Sequence, residues 1–347
     1  MKKVLSMLLA GIMLAGCGAA TSEEAPAPAE SAEEVVEKVE EAVDTAKEAV
    51  PELESVISQA ASLGADSGLK ILSPSGAPAL SLLPASAGGF SVDFVDGADP
   101  LQAALVNPEP EYDVIVAPSN LGMKLAESGK SPYKMLGIVT WGNLYIVGKK
   151  DTAADPATWT NVASFGEQSV TGKVFSQVYG DALNMDAVTW YNSTAEASAA
   201  LISGAADVAM LAEPNATASI AKAKENGVEL SIIDDVQAAW GEGKGFPQAA
   251  VFVKEDSYAE KKEAIDSLFG VMSLFSQAAN TADAELITTV IDNAGGAEKF
   301  GIPNSQIAGK VWQRLNINVV PAKDYVEDLK TFGAMFDISD VESVIVK

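Results

Sequence analysis

The sequence predicts an α/β protein made of two successive domains of one type, each a mostly parallel sheet flanked by helices. Two observations carry this. From Gly68 onward, short apolar runs end at small or polar residues and give way to stretches of helical spacing, the alternation that βαβ units produce. The series then repeats after Lys150 and Asp151, and the length of chain past the N-terminal region suits two domains of ordinary size.

Taken in order, the chain starts outside that pattern. Lys2 and Lys3 precede an apolar run from Val4 to Leu14, which closes on Leu14-Ala15-Gly16-Cys17. A charged start, a short apolar stretch and a small-residue cleavage site read as a secretory signal over 1–16, too short to span a membrane as a helix. Residues 17–67 read as an acidic Ala/Pro/Glu-rich tether. Ala25-Pro26-Ala27-Pro28 has no core-forming residue and should be extended and solvated. Val35, Val39, Ala42, Val43, Ala46 and Val50 then recur at spacings of three and four, which suits either a fluctuating helical spacer or an amphipathic helix packed weakly on a partner.

The first domain (68–150) reads as strands at 69–72, 92–95, 113–117 and 134–140, with helices at 77–87, 100–106 and 120–128 between them and a strand at 143–149 at its end. The second (151–233) reads as strands at 161–165, 187–191, 207–211 and 229–233, with helices at 171–183, 195–203 and 214–226. Residues 234–347 return to the first domain, with a strand at 248–254 and helices from 256 to 336. The strands are short apolar runs that end at small or polar residues, and the helices are the stretches of helical periodicity that follow them.

Composition removes whole classes of function. The chain has no histidine, one arginine (Arg314), and one cysteine, Cys17. A Ser-His-Asp or Cys-His nucleophilic centre cannot be assembled, nor can a zinc site of the usual His/Cys kind. No intrachain disulfide is possible. No metal or cofactor is therefore expected, and no enzyme activity. The formal charge of −25 repels nucleic acid and anionic lipid headgroups at long range.

Leu14-Ala15-Gly16-Cys17 resembles the lipobox of bacterial lipoproteins, whose cysteine becomes the lipidated first residue. That resemblance implies an extracytoplasmic protein anchored to the cell membrane through Cys17. The body resembles the type II periplasmic substrate-binding proteins of ABC transporters, in the branch that takes up nitrate, sulfonates, taurine and thiamine-pyrimidine precursors. The residues that carry the resemblance are Ser73-Pro74-Ser75-Gly76-Ala77-Pro78, the run from Asp113 to Asn120, and the run from Leu201 to Pro214. It implies two lobes joined by crossing segments, a small organic ligand in the cleft between them, and delivery to a permease and its ATPase by a monomer. The chain departs from the branch in having no arginine near these loops, which favours a neutral or aromatic ligand over a strongly anionic one.

Open parallel sheets bind ligands beyond the carboxyl ends of their strands, where loops meet helix N-termini. In the first lobe that places Ser75, Gly76, Ser119 and Asn120 at the cleft, with Trp141 after the fourth strand able to stack on a flat ligand. In the second lobe it places Gln168, Ser169, Thr171, Asn192, Glu213 and Asn215 there, with Glu213 able to accept from a ligand amino group. The same residues suit ordinary N-caps, turns and packing. Two ligand classes fit, a thiamine-pyrimidine-like heterocycle and an alkanesulfonate-like oxyanion. A sensor without transport, or a pyrimidine-synthase-like enzyme on the same fold, is the alternative function.

Overall fold

Among the residues that the computed structural model describes, 53–64, 67–241 and 243–347, the apolar runs form strands that sort into two sheets. The strands are β1 (Lys70–Pro74), β2 (Ser91–Val95), β3 (Val114–Pro118), β4 (Tyr133–Thr140), β5 (Leu144–Lys149), β6 (Val162–Phe165), β7 (Val188–Tyr191), β8 (Val208–Ala212), β9 (Leu230–Asp235), β10 (Ala249–Lys254) and β11 (Ile317–Pro321). The first sheet has the order β11-β4-β10-β3-β1-β2 and the second β7-β6-β8-β5-β9. Central β3 and β10 are buried along nearly their whole length, as expected where helices cover both faces and the strand reads as a continuous apolar run.

Both sheets are mixed. Pairing is parallel where a helical crossover joins strands of one sheet, as in β1 with β2 and β3, and β6 with β7 and β8. Antiparallel pairs are β10 with β3 and β4, β11 with β4, and β5 with β8 and β9.

Three elements differ from the sequence reading. The strand assigned to the end of the first domain is β5, and it pairs in the second sheet, Leu144 opposite Ala212 and Tyr145 opposite Asp235. The switch between lobes therefore falls at residues 141–143. β11 lies within the stretch expected to be wholly helical, and the expected helix at 77–87 is two short ones, Ala77–Leu80 and Leu83–Ala87, the second starting with Pro84 in its first turn.

Residues 53–64, placed in the tether by composition, are helical, and Leu53, Val56 and Ala60 are buried in the first lobe's core. The helix can approach so closely because Gly88 has no side chain: a Cβ there would lie 2.6 Å from the Ala60 carbonyl carbon. Cys17, the signal segment and the Val35-to-Val50 stripe lie outside the described residues. Among the described residues no helix is long and apolar enough to cross a membrane.

Three apolar cores result. One fills the first lobe around Trp312, Phe275 and Phe300, and a smaller one fills the second lobe around Ala197, Ala209 and Leu211. The third, with Trp141, Leu144, Val236, Phe246 and Phe332, runs through the two crossings and draws on residues of both sheets.

Candidate ligand-binding site

The carboxyl ends of β1 and β3 face the N-terminal end of the helix Val170–Tyr179 across a cavity of about 400 Å³. From the first lobe it is lined by Pro74, Ser75, Ala77, Pro78 and Ala98, and by Pro118, Asn120 and Leu121. Asn143 comes from the first crossing and Gln248 and Ala249 from the end of the second, while Ser169 and Val170 come from the second lobe. No charged side chain is among these lining residues.

Two helices start at this cavity, Ser119–Glu127 from the first lobe and Val170–Tyr179 from the second, and neither has a side-chain cap. The first N–H groups of a helix have no intrahelical partner and carry partial positive charge. Ser169 occupies the cap position of the second helix, yet its hydroxyl donates instead to the Gly166 carbonyl at 2.7 Å and lies 2.8 Å from the Thr171 hydroxyl. Thr171 in turn donates to the Phe165 carbonyl at 3.1 Å. These hydroxyls shape the turn and cap no amide of the helix, although the Gly172 N–H donates to the Gly166 carbonyl at 3.1 Å.

Of four buried polar side-chain atoms without a partner among the described residues, one, Asn120 Oδ1, belongs to a residue of this lining. Ser119 Oγ, Asn120 Oδ1, Thr140 Oγ1 and Ser164 Oγ are buried and make no hydrogen bond. Ser119 and Asn120 follow β3, Thr140 ends β4, and Ser164 is the penultimate residue of β6. An unsatisfied buried polar group costs about 1–3 kcal/mol, so a partner such as water, an ion or a ligand is called for at each.

The structure brings together some of the expected site residues and disperses others. Ser75, Asn120 and Ser169 line the cavity, and Ser119 and Thr171 stand beside them in the same turns. Gly76 holds the turn after β1 with φ 99°, its N–H donating to the Phe300 carbonyl at 2.7 Å. Gln168 lies in a separate groove with Lys173 and Trp190. Asn192 is exposed, and its amide donates to Glu196 at 3.0 Å as part of the cap of the following helix. Asn215 is exposed at the start of its helix, where its carbonyl accepts from Ser219.

Two expected ligand contacts are committed elsewhere. Trp141 is 5 % exposed, donates from Nε1 to the Asn318 carbonyl at 3.0 Å, and meets Tyr325 edge-on with ring centroids 5.0 Å apart. It packs the first crossing and borders a different groove. The Glu213 carboxylate accepts from Arg314 Nε at 2.6 Å, from the Thr217 amide at 3.1 Å and from the Thr217 hydroxyl at 2.8 Å. An arginine thus does come beside the loop after β8, contrary to the sequence reading, but it is spent on Glu213. Sequence reasoning also missed Asn143 and Gln248; the one signal was a polar residue set beside each apolar strand at the point where the chain changes sheets.

No protein-family model matches the sequence, and no curated protein matches it. Solved structures do resemble it. An ABC transporter structure from Parabacteroides distasonis is 20 % identical, with a TM-score of 0.62 over 80 % of this chain and 95 % of that one. The periplasmic aliphatic sulphonate binding protein SsuA from Escherichia coli is 17 % identical, with a TM-score of 0.58 over 80 % and 92 %. The alkanesulfonate-binding protein SsuA from Xanthomonas axonopodis pv. citri, bound to MOPS, is 15 % identical, with a TM-score of 0.53 over 80 % and 96 %. The likeness is one of fold, and the fold is that of the periplasmic binding proteins.

Proposed function

We propose that the chain is an extracytoplasmic solute-binding protein, anchored through a lipid on Cys17, that captures a small organic oxyanion of the sulfonate kind and delivers it as a monomer to an ABC permease and its ATPase. The observation that carries the ligand class is the meeting of two helix N-termini, one from each lobe and neither with a side-chain cap, at a single cavity with no charged side chain among its described lining residues. Backbone N–H groups and Asn143, Gln248 and Ser169 can receive oxygens without a basic clamp, while Pro74, Ala77, Leu121, Val170 and Ala249 suit a compact apolar body. The named functions of the similar structures, transport and sulfonate binding, agree with this reading. The heterocycle reading rested on Trp141 and Glu213, both of which have protein partners. A purely binding role fits a lining that offers hydroxyls and amides but no group poised for acid–base chemistry.

The test is a melting-temperature screen of short alkanesulfonates against neutral pyrimidines and alkylammonium ions of similar size. A sulfonate at a hundred times its Kd should add about 2.7 kcal/mol of stability, and Asn120→Asp, which sets a negative charge at the open end of the Ser119–Glu127 helix, should abolish that gain. Stabilisation by the pyrimidines or ammonium ions but by no sulfonate would refute the oxyanion reading.

A further inference from the structure

We propose that Arg314 is an interlobe positioning residue, which with Glu213 and Thr217 sets how closely the second lobe stands against the first and so fixes the width of the ligand cavity. Only the ligand arm of its test rests on the sulfonate reading above.

Arg314 belongs to the first lobe. It lies in the short 3₁₀ turn Trp312–Leu315, whose Trp312 and Leu315 are buried in the first core just ahead of β11. Its side chain leaves that body: Nε donates to Glu213 Oε1 at 2.6 Å and Nη2 to Thr217 Oγ1 at 2.7 Å. Both partners belong to the second lobe, Glu213 just after β8 and Thr217 in the helix Asn215–Glu225. The Glu213 side chain is fully buried, whereas that of Arg314 is 35 % exposed. A buried carboxylate holds its charge only where cations and donors compensate it, and the cation paired with this one comes from the opposite lobe. Tyr145 of β5 adds a second link, its hydroxyl donating to the Arg314 carbonyl at 3.0 Å and accepting from Asn316 Nδ2 at 3.3 Å.

The same group reaches the cavity wall. The Glu213 amide donates to the Asn143 carbonyl at 2.9 Å, and Asn143 Nδ2 donates back to the Glu213 carbonyl at 3.0 Å. Asn143 Oδ1 accepts from Gln248 Nε2 at 3.4 Å, and both amides line the cavity. The apolar core at the crossings also joins the lobes, but apolar contact is non-directional. A charge-assisted pair fixes an orientation as well as a distance.

The single cysteine of the chain makes the test direct. In a Cys17→Ser background, Lys130→Cys in the first lobe and Asp181→Cys in the second, both exposed positions, carry spin labels whose separation is measured by pulsed electron resonance without ligand. Arg314→Ala alone strands a buried charge, so the deciding variant is Arg314→Ala with Glu213→Gln, which removes both charges. Its circular dichroism should match the parent, while its distance distribution should broaden and move to longer separations. Thr217→Val, which removes the hydroxyl that accepts from Arg314 and donates to Glu213 but no charge, should move it the same way by less. A parental distribution in these folded variants overturns the proposal. In the ligand arm, butanesulfonate is titrated: where the competent arrangement falls to about a tenth of the population, Kd rises about tenfold. Failure of butanesulfonate to bind the parent refutes the ligand class and leaves the distances to decide the role of Arg314. An unchanged Kd with lengthened distances overturns the claim that the pair sets the cavity.

Discussion

The first lobe's own core fills the space between sheet and helices with large side chains, Trp312, Phe275 and Phe300 among them, while one face of the second lobe's sheet is filled largely with alanine, Ala163, Ala197, Ala200, Ala209, Ala216 and Ala223, its other face packing Phe175 and Tyr179 into the core at the crossings. The strands and helices alternate alike in both. Small side chains let helices settle closer to the sheet, so that alanine-rich face reaches density through backbone approach and the first lobe's core through side-chain volume. The two interiors should then fail in opposite ways, one when volume is removed and the other when it is added.

Truncation in the first lobe should have the largest effect. Trp312 is 1 % exposed, meets Phe275 edge-on at 5.9 Å between centroids, and donates from Nε1 to Asn280 Oδ1 at 3.0 Å. Trp312→Ala should cost about 3–5 kcal/mol, measured as the shift in urea midpoint at constant slope. A cost under about 1 kcal/mol would mean that this core closes over the void and is not held by side-chain volume. Enlargement in the second lobe comes next. Ala209, the second residue of β8, is fully buried, and Ala209→Leu should cost about 1–3 kcal/mol through overpacking. A stabilising Ala209→Leu would break the comparison.

The smallest effect sharpens the electrostatic side of the first lobe. Burial alone would raise the pKa of Asp113, but hydrogen bonds from Ser257, the Lys70 amide and Lys261 outweigh it and hold the carboxyl below its ordinary 3.8. A carboxyl whose folded pKa is depressed stabilises the protein above the unfolded value and loses that contribution as pH falls through the folded one. Asp113→Asn should therefore flatten the loss of stability on acidification below about pH 4, the range in which an unperturbed carboxyl titrates. An unchanged acid limb in chemical denaturation followed from pH 7 to pH 2 would show that the carboxylates that matter lie elsewhere.

The strands were legible because each is a compact apolar run that names its own period, and Ser75, Asn120 and Ser169 were legible because the turn before a helix is a local pattern. What escaped depends on partners far away in sequence. Trp141 and Glu213 look available until the segment 314–318 supplies the Asn318 carbonyl and Arg314 to occupy them. Asn143 and Gln248 reach the cavity only because β4 and β10 pair, Ala249 opposite Thr140. The helix at 53–64 was hidden by its neighbours' composition, since what gives it a docking place is the bare backbone at Gly88.

The position of β10 has a consequence for how the molecule comes into being. This strand is wedged between β3 and β4 in the first sheet, with Val251 opposite Val116, so the lobe that starts first in the chain lacks a central strand until the other lobe has been made. The second sheet is a continuous stretch from β5 to β9 and has every strand once residue 235 exists. Closing a long loop before its contacts can reward it is what slows folding. On a chain emerging from its N-terminus, the second lobe can finish first, and β1 to β4 must wait, with apolar edges uncovered, for a strand that arrives after it.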